Sequence, residues 1–483
     1  MGIRSDIDTF DPHQTLGQFG AGQMVRLVYS TLVMRTSDGD LIPGVAEKWD
    51  VDPHGGDFTI QEGVLCSDGS ELTASVIKKS FDRMLDPDSG AQYVERLFAG
   101  GDVEFTADDS TRTFSMKLEN PNTDLLPALA NVGQIICGAG VDNPEALASE
   151  PQGSGPFRLV SAKRGDSYEF ERRDDYVSLP EGVEVTDLPK RLSLKYIADD
   201  SAMVNALLAG ELTIGPVMGR DGERLETRDE FNHLPIESYG GDGLIFNQSP
   251  GLPGADPAFR KALAMAVDPQ LYTRASTFDR SKPLRTLYTP NLDCYTEDNA
   301  DLLPEVSVDA AAQALDAAGY PLKGDARVGP DGKPVTLRFV GDTLKNSGPQ
   351  YITDQFEKLG IVVDLSMNDT ATGIQKVFSN EFDLYIFPFA ASLGTPTQHL
   401  GSVSEEGGVN VSHIDNAEYK KAAQVALSDP DRRCEAWQEG EAALLTNLDL
   451  LPLTWPVAHY FAKDVTFEGI YYSLDPFTIR STK

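Results

Sequence analysis

The residues of this chain that can do chemistry are scattered. Six histidines, His13, His54, His233, His399, His413 and His459, each stand alone in the sequence. A metal site readable from local sequence needs His, Cys or carboxylates at short fixed spacing, as in HExxH, and no such spacing occurs. Four cysteines, Cys66, Cys137, Cys294 and Cys434, form no CxxC pair and have no neighbouring His. They read as bridges or buried thiols rather than metal ligands. There is no GxSxG nucleophile elbow and no phosphate-cradling P-loop. The run Gly17-Gln-Phe-Gly-Ala-Gly22 has the wrong glycine spacing for a dinucleotide loop. Carboxylate chemistry remains. With 75 acidic residues, chance pairs are plentiful, and a secreted hydrolase using paired carboxylates is the enzymatic alternative. No catalytic residue, metal ligand or cofactor is assigned.

The acids matter more as a field. Against 41 basic residues they leave a net charge of −34. Neutralising phosphates takes clusters of Lys and Arg, so a chain this acidic is poorly suited to nucleic acid or anionic lipid, and no nucleic-acid partner is expected. The charge fits solubility, a cationic ligand or a saline habitat. Hydrophobic residues make up 40% of the 483, enough for large buried cores, and no apolar run is long enough to span a bilayer.

The elements that must position any site follow from periodicity. Ile3, Ile7 and Phe10 alternate with polar residues as a strand does. Met24, Leu27, Val28 and Thr31 repeat at helical spacing. After the turn Asp52-Pro-His-Gly-Gly56, a helix capped by Thr73 buries Ile77, Phe81, Met84 and Leu85 and stops at Asp86-Pro87. Residues 102–119 and 153–176 each read as strand, turn, strand. Residues 192–200 form a strand, and the helix after it stops at Gly210. Beyond residue 240 the texture changes. LIFNQS is a short buried strand, DPAFRKALAMAVD and DAAAQALDAAGY are helices, and VTLRFVGD, IVVDLSMN and FDLYIFPFA alternate with helices. That alternation predicts a mostly parallel sheet covered on both faces. EAALLTNLDLLPLTWPVAHYFA adds a last helix and strand. No repeat or low-complexity linker occurs, so the lobes are interleaved.

Several blocks, in order, resemble one family. Phe10-Asp-Pro-His13 followed by Leu27-Val-Tyr-Ser-Thr-Leu32 is similar to "LDPH … YEGL". Leu41 to Trp49 resembles "PxLAExW", and Cys66 to Ala74 resembles "FHDGTPLTA". Gly153-Ser-Gly-Pro-Phe157, the basic turn Lys163-Arg-Gly165 and Asp175-Tyr176 resemble "GTGPY … RNPDYW". Asp256 to Asp268 resembles "DxRVRQALxxAID". These are motifs of the family 5 extracellular solute-binding proteins of ATP-binding-cassette importers, the family of oligopeptide-, dipeptide- and nickel-binding proteins. The resemblance implies an α/β, two-lobed periplasmic-binding-protein-like fold of type II, with an extra inserted domain, mixed central sheets and a hinge. Residues 1–40, 151–239 and 452–483 would form the core of lobe one, 41–150 its insert, and 240–451 lobe two. A monomeric receptor would hold a small-molecule or peptide-like solute, an oligosaccharide included, between the lobes and deliver it to a membrane permease without catalysing a reaction.

The resemblance also carries site residues. Gln18 and Phe19 fall at the cleft mouth, and Tyr93 and Arg96 where the insert reaches the ligand. Asn247 ends the first strand of lobe two. Lys345 and Asn346 follow VTLRFVGD, and Phe389, Ser392 and Thr395 follow FDLYIFPF. Asn410 is added. The loops at 345 and 389 also lie where parallel strands end, the usual ligand position in open α/β sheets. In peptide-binding members an Asp three positions after the aromatic pairs with the ligand's ammonium; here that position is Ser392, so peptides with a free amino terminus are not expected. Of the three possible pairings of four cysteines, Cys66–Cys137 and Cys294–Cys434 each stay within one lobe. The chain opens on strand-like residues, and the expectation is a secretory leader upstream of Ile3 ending in a lipid-anchored Cys, which puts the protein on the outer face of the membrane.

Overall fold

The computed structural model describes residues 1–7, 9–15, 20–91, 93–388, 393 and 410–482. The chain divides into two units, Met1–Ile236 with Ala458–Lys483, and Glu237–Val457. The second unit runs further than the sequence reading placed it. Leu450–Trp455 is a strand of its sheet, in register with the strand Asp242–Phe246, so residues 452–457 belong there and not to lobe one.

In the first unit, one sheet orders Gly2–Ile3, Arg191–Tyr196, Ser167–Arg172 and Phe157–Lys163. Ile3, Ile7, Phe10, Phe157, Tyr168 and Leu194 share its core. A second, antiparallel sheet orders Ala46–Asp52, Gly55–Ile60, Thr113–Leu118 and Val103–Asp108. The helix Ala74–Leu85 shares a core with this sheet. Its Thr73 cap accepts from the Val76 N–H at 3.4 Å, and Ile77, Phe81 and Met84 are buried, with Phe81 stacked on Phe114 at 5.3 Å. Leu85 is only partly buried. The core around this sheet starts at Leu32 and ends at Cys137, while Leu147 packs with the first core, so the inserted piece is offset from 41–150. A third sheet orders Ile214–Pro216, Val457–Ala462 and Asn232–Glu237.

The second unit holds one six-stranded sheet, ordered Lys282–Pro283, Leu450–Trp455, Asp242–Phe246, Leu384–Pro388, Thr336–Asp342 and Val362–Asn368. Only the last three strands are mutually parallel; the rest pair antiparallel. The sheet is therefore mixed rather than mostly parallel. Its edge strand is not covered on both faces: Val362 and Met367 are 49% and 42% exposed. The helices Pro269–Thr277 and Ala417–Ser428 had no counterpart in the sequence reading. LPLTWPVAHYFA is two strands split at Pro456, not one.

Family motif residues prove to be fasteners. Gly153 and Gly155 let two backbones touch, for a Cβ on either would meet Val28 main-chain atoms at 2.0 and 2.5 Å. Arg173 is buried and donates to the carbonyls of Gly155, Leu65 and Cys66 and to Asp175. His13 accepts from Arg83 Nη1 through Nδ1 at 3.0 Å, because arginine can only donate, and donates from Nε2 to the Gln134 carbonyl at 3.0 Å. Arg83 also grips Asp11 at 2.5 Å. Disulfides join Cys66 to Cys137 in the first unit and Cys294 to Cys434 in the second. Loops of 71 and 140 residues put their chain-entropy contribution at about 4–5 kcal/mol each.

Arg260 is the fastener of the second unit. Nε donates to Leu448 O at 2.8 Å, Nη1 to Gly254 O at 2.8 Å, and Nη2 to Asn447 O and Asp449 Oδ1 at 2.9 Å each. Burial lowers the Arg260 pKa and raises that of Asp449, each in spite of the other's charge. Burial of both charges opposes their attraction, and losing one member strands the other. Arg260→Ala should destabilise the protein by about 3–5 kcal/mol, and Arg260→Met with Asp449→Leu should recover part of that loss. Equal urea midpoints for native protein and Arg260→Ala would contradict this. Burial first, then the Arg83 charge, pushes the His13 pKa from 6.5 down to about 4. An unfolded His13 takes up a proton that the folded one refuses, so its contribution to stability is full above pH 6.5 and fades as pH falls toward 4. The stability advantage of native protein over His13→Gln should shrink through that window; a pH-independent difference would refute it.

Candidate functional site

In the second unit, the parallel strands end at Asp342, Asn368 and Pro388. Antiparallel pairing brings Asp242 opposite Pro388 and Thr454, so Asp242 stands at the same edge. Asp342 caps the turn Thr343–Lys345. Its Oδ1 accepts from the Leu344 N–H at 2.8 Å and its Oδ2 from Thr370 Oγ1 at 2.7 Å. The turn delivers Lys345 Nζ to Asp242 Oδ2 at 2.5 Å, with the carboxylate nearly buried. Asn346, in an unusual backbone conformation with φ 46°, spends its amide on Ser276 O at 2.7 Å. Tyr385 lies behind this edge, its hydroxyl pKa raised by burial and then by Asp342 and Asp242. Trp455 follows Thr454, with its indole N–H on Ser238 O at 2.7 Å and Lys282 Nζ 4.5 Å above its ring.

Of the other expected residues described in this unit, Asn247 and Asn410 do not stand at this edge. Asn247 ends its strand at the opposite edge, fully buried, with its amide on Asn380 and Phe382 and its carbonyl on the Ser249 N–H. That makes it scaffold. Asn410 closes a turn on Ile414, and two residues later Ser412 O accepts from Gln248, again on the far edge. Phe389, Ser392 and Thr395 lie outside the described residues, as do Gln18 and Phe19. Leu393 is described and buried, its carbonyl accepting from Tyr288 Oη at 3.2 Å.

In the first unit, Tyr93 precedes the short helix Val94–Phe98, which Asn122 pins by donating to Arg96 O at 3.3 Å and Leu97 O at 2.9 Å. Arg96 is 9% exposed. Its guanidinium carbon lies 6.0 Å from the centre of the Tyr93 ring, and burial lowers its pKa against the opposing influence of Tyr93, Tyr471 and Asp124. Among the described residues, Nε and Nη2 of Arg96 have no hydrogen-bond partner. Tyr471 and Tyr472 are consecutive non-glycine residues with φ of 48° and 68°, and Arg26 sits 4.5 Å from the Tyr471 ring centre. Nothing in the sequence signals that tyrosine pair; left-handed backbone without glycine or asparagine leaves no compositional trace. A cavity of about 180 Å³ opens nearby in chain terms, lined by Arg26, Arg35, Gln134, Tyr176, Asp475 and Phe477 among others. The Asp475 carboxyl pKa is raised there by burial. His233 and His459 bond at 2.9 Å beside Phe461. Among the described residues, no group of three or more His, Cys, Asp or Glu is placed to hold a metal, and no helix is long and apolar enough to cross a membrane.

The whole arrangement has known relatives. Residues 40–410 match the family model for bacterial extracellular solute-binding proteins, family 5. The oligopeptide-binding protein OppA of Bacillus subtilis is 21% identical over 479 residues, covering 94% of this chain and 87% of its own. A substrate-binding protein from Microbacterium hydrocarbonoxydans, solved with 4-hydroxybenzoate hydrazide, is 28% identical with a TM-score of 0.83, covering 99% of this chain and 98% of that one. The oligopeptide-binding protein AppA of Bacillus subtilis, solved with a nonapeptide, shares the fold at 18% identity and a TM-score of 0.83, covering 100% and 98%. With the family match spanning well over half of its length, this chain belongs to the bacterial extracellular solute-binding proteins of family 5.

Proposed function

We propose that this chain captures a small peptide-like or other polar solute that lacks a free ammonium end, as a monomer that hands it to a membrane permease. Its class is that of the extracytoplasmic substrate-binding component of an ATP-binding-cassette importer, a family of binding proteins rather than enzymes. The observation that carries the ligand reading is the state of the carboxylates at the ligand edge of the second unit. Asp242 is neutralised by Lys345, and both oxygens of Asp342 are taken by Leu344 and Thr370. Asp242 already has its cation, Asp342 is engaged in holding its own turn, and the position at which the resemblance puts the family's Asp is Ser392. A hydroxyl accepts a hydrogen bond but cannot neutralise a buried cation, a loss of about 3–5 kcal/mol or more than two decades of affinity. The Microbacterium relative, which holds an aryl hydrazide, supports a solute of this kind, because a hydrazide is uncharged at neutral pH.

In this reading the candidate ligand residues of the second unit are Lys345, Phe389, Ser392 and Thr395, and those of the first unit, taken by itself, are Gln18, Phe19, Tyr93 and Arg96. We assign no reaction to the chain. Native mass spectrometry of the purified protein should show a monomer that carries or takes up one ligand unchanged. Calorimetry with di- to pentapeptides should give weak or no binding until their amino ends are acetylated. Turnover of a bound ligand, or sub-micromolar binding that acetylation abolishes, would overturn the reading. Lipid anchoring is a separate proposal that rests on the family's role outside the membrane: labelled palmitate fed to the native host should enter the full-length product, and its absence there would reject the anchor.

A further inference from the structure

Among the described residues four arginines are buried: Arg96, Arg173, Arg260 and Arg327. Arg260 and Arg327 bond through all three nitrogens, and Arg173 through both of its terminal ones. Arg327, like Arg173 and Arg260, spends its nitrogens on main-chain carbonyls, those of Leu359, Tyr320 and Ala312, with Asp316 as its carboxylate. Arg96 breaks this pattern. Its Nε and Nη2 are sealed from solvent with no acceptor among the described residues. Those two nitrogens form one edge of the guanidinium plane, with parallel N–H bonds at the spacing of the two oxygens of a carboxylate. Asp124 acts on the charge through space and opposes the lowering of its pKa by burial. The surroundings are aromatic and cationic: the Tyr93 ring faces the guanidinium, Tyr471 is near enough to act on it, and Arg26 stacks on Tyr471.

We infer that Arg96 is the anchor for an anionic, two-oxygen end group of the transported solute, a carboxylate held side-on by Nε and Nη2 with its organic body against Tyr93 and Tyr471. The inference rests on the receptor reading above and narrows it: the solute is an acid without a free ammonium, such as an N-acylated peptide or an aryl carboxylate. A buried cation with open donors is costly to the empty protein and is repaid only when the anion arrives. Substituting Arg96 should therefore harm binding and spare the fold, the reverse of Arg173, Arg260 and Arg327.

The test uses N-acetylated di- and tripeptides and 4-hydroxybenzoate, each as free acid and as primary amide, titrated calorimetrically into native protein and into Arg96→Gln. Inorganic phosphate serves as competitor, to separate a carboxylate from a phosphate site. At least one acid should bind ten-fold or more tightly than its amide. Arg96→Gln should erase that ratio while leaving the melting temperature unchanged or higher. Equal affinity for acids and amides, no binding of either at millimolar concentration, displacement of the acids by phosphate at lower concentration than the acids themselves need, or a lower melting temperature with the ratio intact overturns the assignment of Arg96. None of these outcomes is turnover of a ligand or sub-micromolar binding that acetylation abolishes, the two results that overturn the receptor reading.

Discussion

Main-chain carbonyls taken out of water must find donors, and this chain supplies them with arginine. Each unit of the fold brings loops and strand ends into apolar surroundings where no ladder can satisfy them, and leaving such a group unpaired costs on the order of 1–3 kcal/mol. One guanidinium carries five donors in a rigid plane and can close several of these debts at once. Arg260 does so for the loop after the strand Asp242–Phe246 and for the end of the helix Arg433–Thr446. Arg173 does so where residues 65–66 meet residue 155. Glu441 is the acidic counterpart, buried and accepting from the Leu287 and Tyr288 N–H groups and from Asn299.

This explains what the motifs mean physically. Asp-Pro-His at residues 11–13 reads as chemistry but is a knot, with Asp11 and His13 both committed to Arg83. The glycines at 153 and 155 serve contact between two backbones rather than a turn. The site is what these knots leave over. At the edge proposed for the ligand in the second unit, the turn after Asp342 is capped locally, by that residue's own side chain.

Much of the fold was legible because local physics decided it. The Thr73 cap and the Ile77, Phe81, Met84 stripe give one helix and one buried face, and the segment at 102–119 pairs around its turn without reference to anything distant. The alternation after residue 335 gave three parallel strands correctly, but the antiparallel half of the same sheet comes from segments some two hundred residues apart, which periodicity cannot join. Asn247 was misread for the same reason. A strand's end is visible in sequence, but which edge of the sheet that end occupies depends on whether its neighbours run parallel or antiparallel. Lys345 stands at the edge expected of it, since it follows a parallel strand whose direction the alternation fixes. The open nitrogens of Arg96 and the left-handed tyrosines have no sequence signature, for both are statements about what is missing or strained in three dimensions.

The order in which the chain visits the units also sets the order in which they can be completed. The second unit is one uninterrupted stretch, Glu237–Val457, whereas the first needs Ala458–Lys483. The strand Val457–Ala462 lies in the middle of a three-stranded sheet, between Ile214–Pro216 and Asn232–Glu237. During synthesis or export from the amino end, those two strands emerge with an empty place between them. At ribosomal speeds the wait lasts roughly 10 to 45 seconds, while the second unit already holds all of its own strands. The newborn chain therefore presents a sheet with two open edges for the length of another domain's biogenesis. That backbone stays unpaired until Ala458–Lys483 arrive and fill the place between the two strands.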